Sequence, residues 1–190
     1  MNGTVTSAND YAIYSPQSGT TVINGTVSGT GGIEAKAGAI TVNQGATITA
    51  TGAPSHDTHN SGTSTTGYAI ASVGNAGYPN NPAVKIKGGT INGQVIAVKE
   101  NGAAAIGVVQ KTGEATVTIP TGYAWDAQGY LKRDVAQATV SAIADQTYTG
   151  SAITPETSAT WIGDTMESAD RKSTRLNSSH PLSSRMPSSA

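Results

Sequence analysis

Carboxylates are scarce in this chain and are the first residues to consider as catalytic groups. Before Pro120 the sequence offers only five, namely Asp10, Glu34, Asp57, Glu100 and Glu114. Cleavage of a glycosidic bond commonly uses two carboxyl groups that flank the bond, one of them as a proton donor. No Asp-x-Asp or comparable close pair occurs, and Asp10 and Glu34 could meet only if the chain stacked them in successive repeats. We therefore predict no catalytic residues and no enzymatic activity.

Histidines form one short cluster, His56-Asp57-Thr58-His59. Two imidazoles three residues apart, with a carboxylate between them, could bind a metal ion. The surrounding segment is polar and supplies no further ligand, so solvated histidines are the favoured interpretation. We predict no metal site and no cofactor.

Tyrosines are the remaining candidates for ligand contact. An aromatic face combined with a phenol donor suits the apolar faces and the hydroxyl groups of sugar rings. The candidate carbohydrate-binding residues are Tyr11, Tyr14, Tyr68 and Tyr78. The alternative, that these side chains fill corners or stack along a repeated structure, stays open.

An internal repeat must position these residues. The segment Asn2–Ser7 matches Asn24–Gly29 at an offset of 22, and Gln44–Ala50 continues the pattern 21 residues later. Gly88–Gly93 carries it again, with Ile91 lying 43 residues after Ile48, a gap that predicts two repeat periods. Fixed self-similarity of this length is typical of a solenoid. Each unit places Thr-(Val/Ile) after a glycine-containing turn, with the branched side chain expected to point inward.

The composition favours the same architecture. The chain of 190 residues has 23 glycines, no phenylalanine, no cysteine and 12% charged residues. Its apolar residues are mainly Val, Ile and Ala, which suit the narrow interior of a β structure. Each repeat unit also contains a second candidate strand, at Tyr11–Tyr14, Gly32–Ala35 and Tyr68–Ala71. We expect these candidate strands to lie on the same face of successive coils. The predicted fold is all-β, with a right-handed parallel β-helix of about 21–22 residues per coil over residues 1–123.

Two segments depart from the repeat. Residues 52–67 are polar and without apolar periodicity, which predicts a loop projecting from one corner, either a binding loop or a tolerated insertion. Residues 124–135 contain Trp125 and Leu131, which we expect to cap the open end of the repeat array or link it to the next segment.

The net charge argues against nucleic acid as a partner, and the lengths of the apolar runs argue against insertion into a membrane. The formal net charge is −1 and no arginine precedes Arg133, so the sequence gives no electrostatic basis for nucleic-acid binding. No apolar run approaches the roughly 20 residues that span a bilayer, so we predict no membrane insertion by this segment.

The Gly-Gly-Thr-Ile/Val pattern over about residues 2–122 resembles the β-helix regions of large surface proteins from gut Firmicutes. The resemblance implies a non-catalytic, extracellular or cell-surface adhesin fragment whose partner is a polysaccharide or a host glycan. Its secretion signal and anchor would lie outside this sequence. A purely structural stalk is the alternative, and a polysaccharide-degrading β-helix enzyme is the least favoured.

The C-terminal third differs from the repeat region. Residues 136–169 resemble the opening of a bacterial immunoglobulin-like module, on the segments Asp145–Gly150 and Ile153–Pro155. A β-sandwich of this type needs about 100 residues, so we expect the module to be truncated. Residues 170–190, which contain DRKSTRLNSSH and SRMPSSA, resemble a translated sequencing adapter and are expected to be an artefactual or disordered tail.

Overall fold

A computed structural model describes residues 1–57, 62–142, 147, 158–161 and 164–165. Over these residues the protein is all-β, with one short 3-10 helix at Val135–Gln137. The chain divides into two compact units, Met1–Asp134 and Val135–Ala190. No helix in the described ranges has the length and hydropathy needed to cross a membrane.

Three four-stranded parallel sheets build the first unit. Sheet A contains, in spatial order, β1 (Thr4–Thr6), β4 (Thr26–Gly29), β7 (Thr47–Ala50) and β12 (Thr90–Asn92). Sheet B contains β2 (Tyr11–Ser15), β5 (Gly31–Ala35), β10 (Tyr68–Asn75) and β13 (Gln94–Glu100). Sheet C contains β3 (Thr20–Ile23), β6 (Ala39–Val42), β11 (Ala83–Ile86) and β14 (Val108–Lys111).

The chain passes through the three sheets in the constant order A, B, C. Each pass adds one strand to each sheet, next to the strand that the preceding pass added there. In sheet A, Thr4 lies opposite Thr26 and Thr26 opposite Thr47, as the repeat predicts. In sheet B, Ile13, Ile33 and Ile70 occupy one row. The prediction that the second candidate strand of each unit shares one face is therefore confirmed.

The 43-residue gap between Ile48 and Ile91 does not contain an additional repeat. These two residues are direct partners in neighbouring strands, so the prediction of two periods is wrong. One turn of the chain is instead enlarged by the segment before β10 and by residues 76–82 after it. Insertions at strand connections leave strand pairing intact, which is why the register on either side survives.

The inward side chains of the three sheets form one continuous core. Val27, Ile48 and Ile91 contribute from sheet A, and sheets B and C add rows that include Ile33, Ile70 and Ile40. Each such branched side chain stabilises the fold by about 1.5–3 kcal/mol relative to exposure. The Thr-(Val/Ile) pattern thus places the branched residue inside, as expected.

The two inner strands of sheet B, β5 and β10, are buried on both faces. Ala71, Val73, Ile96 and Val98 face away from the main core and form a second apolar cluster with Tyr11 and Tyr68. A hairpin, β8 (Ser55–His56) and β9 (Thr65–Thr66), contributes the buried residues Ser64 and Thr65. The expectation that residues 52–67 project from a corner is therefore wrong for their described part.

A second antiparallel hairpin, β15 (Tyr123–Trp125) and β16 (Leu131–Arg133), ends the first unit. Leu131 is buried in the main core and Trp125 packs against that core.

In the second unit, β17 (Ala138–Val140), β18 (Ala159–Trp161) and β19 (Asp164–Thr165) pair antiparallel. Most of the segments that resemble the immunoglobulin-like module, and all of residues 166–190, lie outside the described residues. The immunoglobulin-like module and the artefactual or disordered tail therefore stay predictions.

Candidate functional site

Strand β5 and the residue that follows it place two charged side chains on the outer face of sheet B. Ile33 and Ala35 point into the main core, so the strand alternation turns Glu34 to the opposite face. Lys36 continues the alternation one residue beyond the strand end. Both side chains have no exposed surface. Buried charges need partners, and the hairpin and strand β13 supply them.

Glu34 holds the hairpin β8–β9 against sheet B. Its Oε1 accepts a hydrogen bond from the Ser64 amide at 3.0 Å, and its Oε2 accepts one from the Thr65 amide at 3.0 Å. The Thr65 hydroxyl also donates to Oε2. Hydrogen bonds to a charged acceptor contribute about 1.5–3 kcal/mol each, and loss of the carboxylate would leave two buried amides unsatisfied.

The Lys36 ammonium lies between two carboxylates. It donates to Oε1 of Glu100 and to the Ser64 hydroxyl, and it lies 3.5 Å from Oε1 of Glu34. Burial of an ammonium group without partners would cost several kcal/mol of folding free energy, and the two carboxylates offset that cost.

Glu100 ends strand β13 and completes the cluster. Asn75 donates to its Oε1 at 2.8 Å, and His56 Nε2 lies 3.4 Å from its Oε2. Burial by itself raises the pKa of Glu100, but hydrogen bonds from Lys36, Asn75 and Ser64 outweigh burial, so the pKa lies below its usual range. The interpretation of His56 as a solvated side chain is wrong, since only 25% of it is exposed and it contacts this carboxylate.

Two of the four candidate tyrosines are buried. Tyr11 and Tyr68 each expose 7% of their surface and belong to the apolar cluster on the outer face of sheet B. The Tyr11 hydroxyl lies 2.6 Å from Oγ1 of Thr65, to which it donates because Thr65 itself donates to Glu34. Burial raises the pKa of both phenols.

The other two candidates, Tyr14 and Tyr78, are half-buried and meet each other. Their hydroxyl oxygens lie 2.5 Å apart, and the Gly62 amide donates to the Tyr78 oxygen at 3.0 Å. Burial, and then the hydrogen bond with Tyr78, raise the pKa of Tyr14. The Lys36 Nζ lies 6.0 Å from the centre of the Tyr78 ring. This pair therefore borders the charged cluster and remains accessible.

The carboxylates do not assemble as the sequence suggested. Glu34 converges with Glu100, which the repeat spacing did not associate with it. The Asp10 carboxylate instead accepts a hydrogen bond from the Tyr11 amide at 2.7 Å. Asp57 is exposed and its amide pairs with Ser64 in the hairpin. The converging pair is buried and fully engaged by donors, so a substrate could not reach it in this conformation.

A metal ion in the described ranges would need several His, Cys, Asp or Glu ligands close together. No set of three or more His, Cys, Asp or Glu side chains lies close enough there to hold a metal ion. His59, the second histidine of the short cluster, lies outside the described residues.

Comparison of the whole chain with protein-family models, with curated proteins and with solved structures finds no match. The geometry of the site must therefore support any functional proposal by itself.

Lys36, Ser64 and Asn75 are the residues of this cluster that sequence reasoning missed. A signal for them existed in strands β10 and β13, whose sequences YAIASVGN and QVIAVKE are apolar on both faces. Such strands indicate a sheet covered on both sides. Polar residues at neighbouring positions of that sheet, such as Lys36, are then expected to lie beneath the cover.

Proposed function

We propose that the three parallel sheets of residues 1–123 are the faces of a right-handed parallel β-helix. The constant order A, B, C, the parallel pairing and the offsets of 22 and 21 residues support this assignment. Parallel strands joined by crossovers are right-handed in about 98% of cases, which gives the hand. Residues 124–135 would then act as the cap or linker, and residues 136–169 as part of an immunoglobulin-like module.

We infer that this β-helix is a non-catalytic segment of an extracellular or cell-surface adhesin that binds polysaccharide. The observation that carries the proposal is the Tyr14–Tyr78 pair, which is accessible and held in place by its own hydrogen bonds. A fixed aromatic surface loses little conformational entropy on binding, and its hydroxyls can bond a sugar. Of the four tyrosines predicted from the sequence, these two are the ones that a glycan can reach.

A structural stalk is the second candidate. The observation that favours it is the complete internal use of the buried charges, in which Glu34, Lys36 and Glu100 bind one another and the hairpin. A spacer needs a rigid, continuous core and no accessible polar cluster, and the core described above meets that need.

A glycan array probed with the full chain distinguishes the two functions. Binding to pectic or host glycans that falls at least tenfold in Tyr78→Ala supports the adhesin role. Tyr130→Ala is the matched control, because Tyr130 is also half-buried but belongs to the hairpin β15–β16 segment. Circular dichroism must show that both variants keep their β structure. Absence of glycan binding by the folded wild-type chain would contradict the adhesin role and favour the stalk.

A further inference from the structure

Lys36 and Glu100 form a buried contact that the proposed glycan binding does not use. The ammonium donates directly to the carboxylate, and neither side chain exposes any surface. An amine and a carboxyl group held together without bulk water are the reactants of amide formation. Water exclusion matters because it removes the solvent that would favour the separated ions and hydrolysis.

We propose that Lys36 and Glu100 become joined by an amide bond between Nζ and Cδ, which makes this pair an intramolecular cross-link site. The neighbouring Glu34 carries one proton from Nζ to the Glu100 carboxylate, and the neutral amine then attacks Cδ of the protonated carboxyl group. Glu34 carries a second proton from Nζ to Oε2, and the Cδ–Oε2 bond breaks. Two of the three ammonium protons leave with Oε2 as one water molecule, and the third remains on the amide nitrogen. One ammonium and one carboxylate disappear, Glu34 ends as the carboxylate it was, and no other reactant is consumed.

The surrounding groups suit each part of this step. Glu34 lies 3.5 Å from Nζ and is oriented by the Ser64 and Thr65 amides, so it can receive the proton. Asn75 donates to Oε1 of Glu100 at 2.8 Å, where negative charge develops when the amine attacks.

The departing oxygen also has a neighbour. His56 Nε2 lies 3.4 Å from Oε2 of Glu100, the atom that leaves as water, and the partly exposed imidazole connects this atom to solvent. The step also removes two buried charges, whose desolvation opposes folding. The cross-link closes a loop between residues 64 apart and connects strand β13 to the end of β5 across β10.

The test is the intact mass of the folded, full-length wild-type chain, incubated until its mass stops changing. We expect a mass one water lower than the sequence mass, and unchanged folding by circular dichroism. Trypsin cannot cleave after an acylated lysine, so we expect residues 1–85 to remain uncleaved at Lys36. That peptide should appear covalently joined to residues 100–111.

Two variants locate the reaction. Lys36→Arg keeps the positive charge but cannot form this amide, so it should show the full sequence mass. Glu34→Gln keeps both reacting groups but removes the proton acceptor, so its cross-linked fraction should fall at least tenfold at equal incubation time. A folded wild-type chain with the full sequence mass and separate peptides 37–85 and 100–111 would overturn the proposal. Water loss that persists in Lys36→Arg would overturn it as well.

Discussion

At the scale of single residues, Tyr11 connects the hairpin to the sheet through a buried phenol. Its hydroxyl donates to Thr65, which in turn donates to Glu34, so three residues on the three strands β2, β9 and β5 form one chain of hydrogen bonds. Such chains are stronger than isolated bonds because each donor polarises the next. The packing role that the sequence left open for the tyrosines thus applies to Tyr11.

Replacement of Tyr11 by Phe tests this chain through its pH dependence. Near pH 7 we expect the variant to lose about 1 kcal/mol of unfolding free energy, for one hydrogen bond. Burial raises the pKa of Tyr11 in the folded state above its unfolded value of about 10. The phenol therefore stabilises the fold fully below pH 10, and this contribution is lost as the pH rises further.

Urea denaturation at several pH values between 7 and 11 provides the measurement. Above pH 10 the free energy of unfolding should fall more steeply in the wild type than in Tyr11→Phe, by up to about 1.4 kcal/mol per pH unit. The difference between the two chains isolates the contribution of Tyr11 from every other pH-dependent contribution to stability. Parallel curves above pH 10 would show that the phenol is not buried.

Single-residue roles were only partly predictable from the sequence. The alternation in β5 correctly separates Ile33 from Glu34, because side chains on a strand point to opposite faces. Alternation alone treats the face opposite the core as exposed to solvent, so it does not predict that Glu34 is buried. The burial of Glu34 depends on the hairpin that covers it, and the alternation in β5 by itself does not indicate that cover.

At the scale of elements, the hairpin β8–β9 depends on how the chain enters β10. Gly67 precedes that strand with φ of +69°, a left-handed conformation that disfavours other residues. A Cβ at this position would lie 2.3 Å from the backbone carbonyl of Ala53. The two connections of the hairpin therefore pass each other at a point that only glycine allows.

Gly67→Ala should destabilise the first unit more than Gly102→Ala does. Gly102 has nearly the same φ, +71°, but nothing lies within 4 Å of its Cβ position. The control should cost about 1 kcal/mol for backbone strain alone, whereas Gly67→Ala should cost about 3 kcal/mol or more because backbone atoms must also move. Urea denaturation of the two variants measures the difference. Equal losses would show that the hairpin does not pack closely at Gly67.

Strand register was more predictable than the number of repeats. The matching of Thr4, Thr26 and Thr47 follows from a repeat in which each turn has nearly the same length. The pairing of Ile48 with Ile91 breaks that regularity because one turn carries two insertions whose combined length equals about one repeat. Sequence spacing cannot distinguish an added turn from an enlarged one when the lengths coincide.

At the scale of the whole molecule, the first unit is one repeated core that ends in a different element. The strands of the three sheets follow one another through β14, and then the antiparallel hairpin β15–β16 takes over. Leu131 from this hairpin is buried in the core, and Tyr123 and Trp125 pack against it. An uncovered end would expose apolar side chains and unpaired strand groups, which favours association.

Two shortened chains test whether the hairpin stabilises the first unit. A chain that ends at Asp134 contains the complete unit and should unfold cooperatively, with both hairpin strands in place. A chain that ends at Thr121 lacks Leu131 and Trp125, and should lose about 3–4 kcal/mol for the apolar surface that they bury. For a unit of this size that loss lowers the midpoint of thermal unfolding by about 10 °C. Differential scanning calorimetry gives both midpoints, and analytical ultracentrifugation should show self-association of the shorter chain alone. Equal midpoints would mean that the hairpin packs on the core without stabilising it.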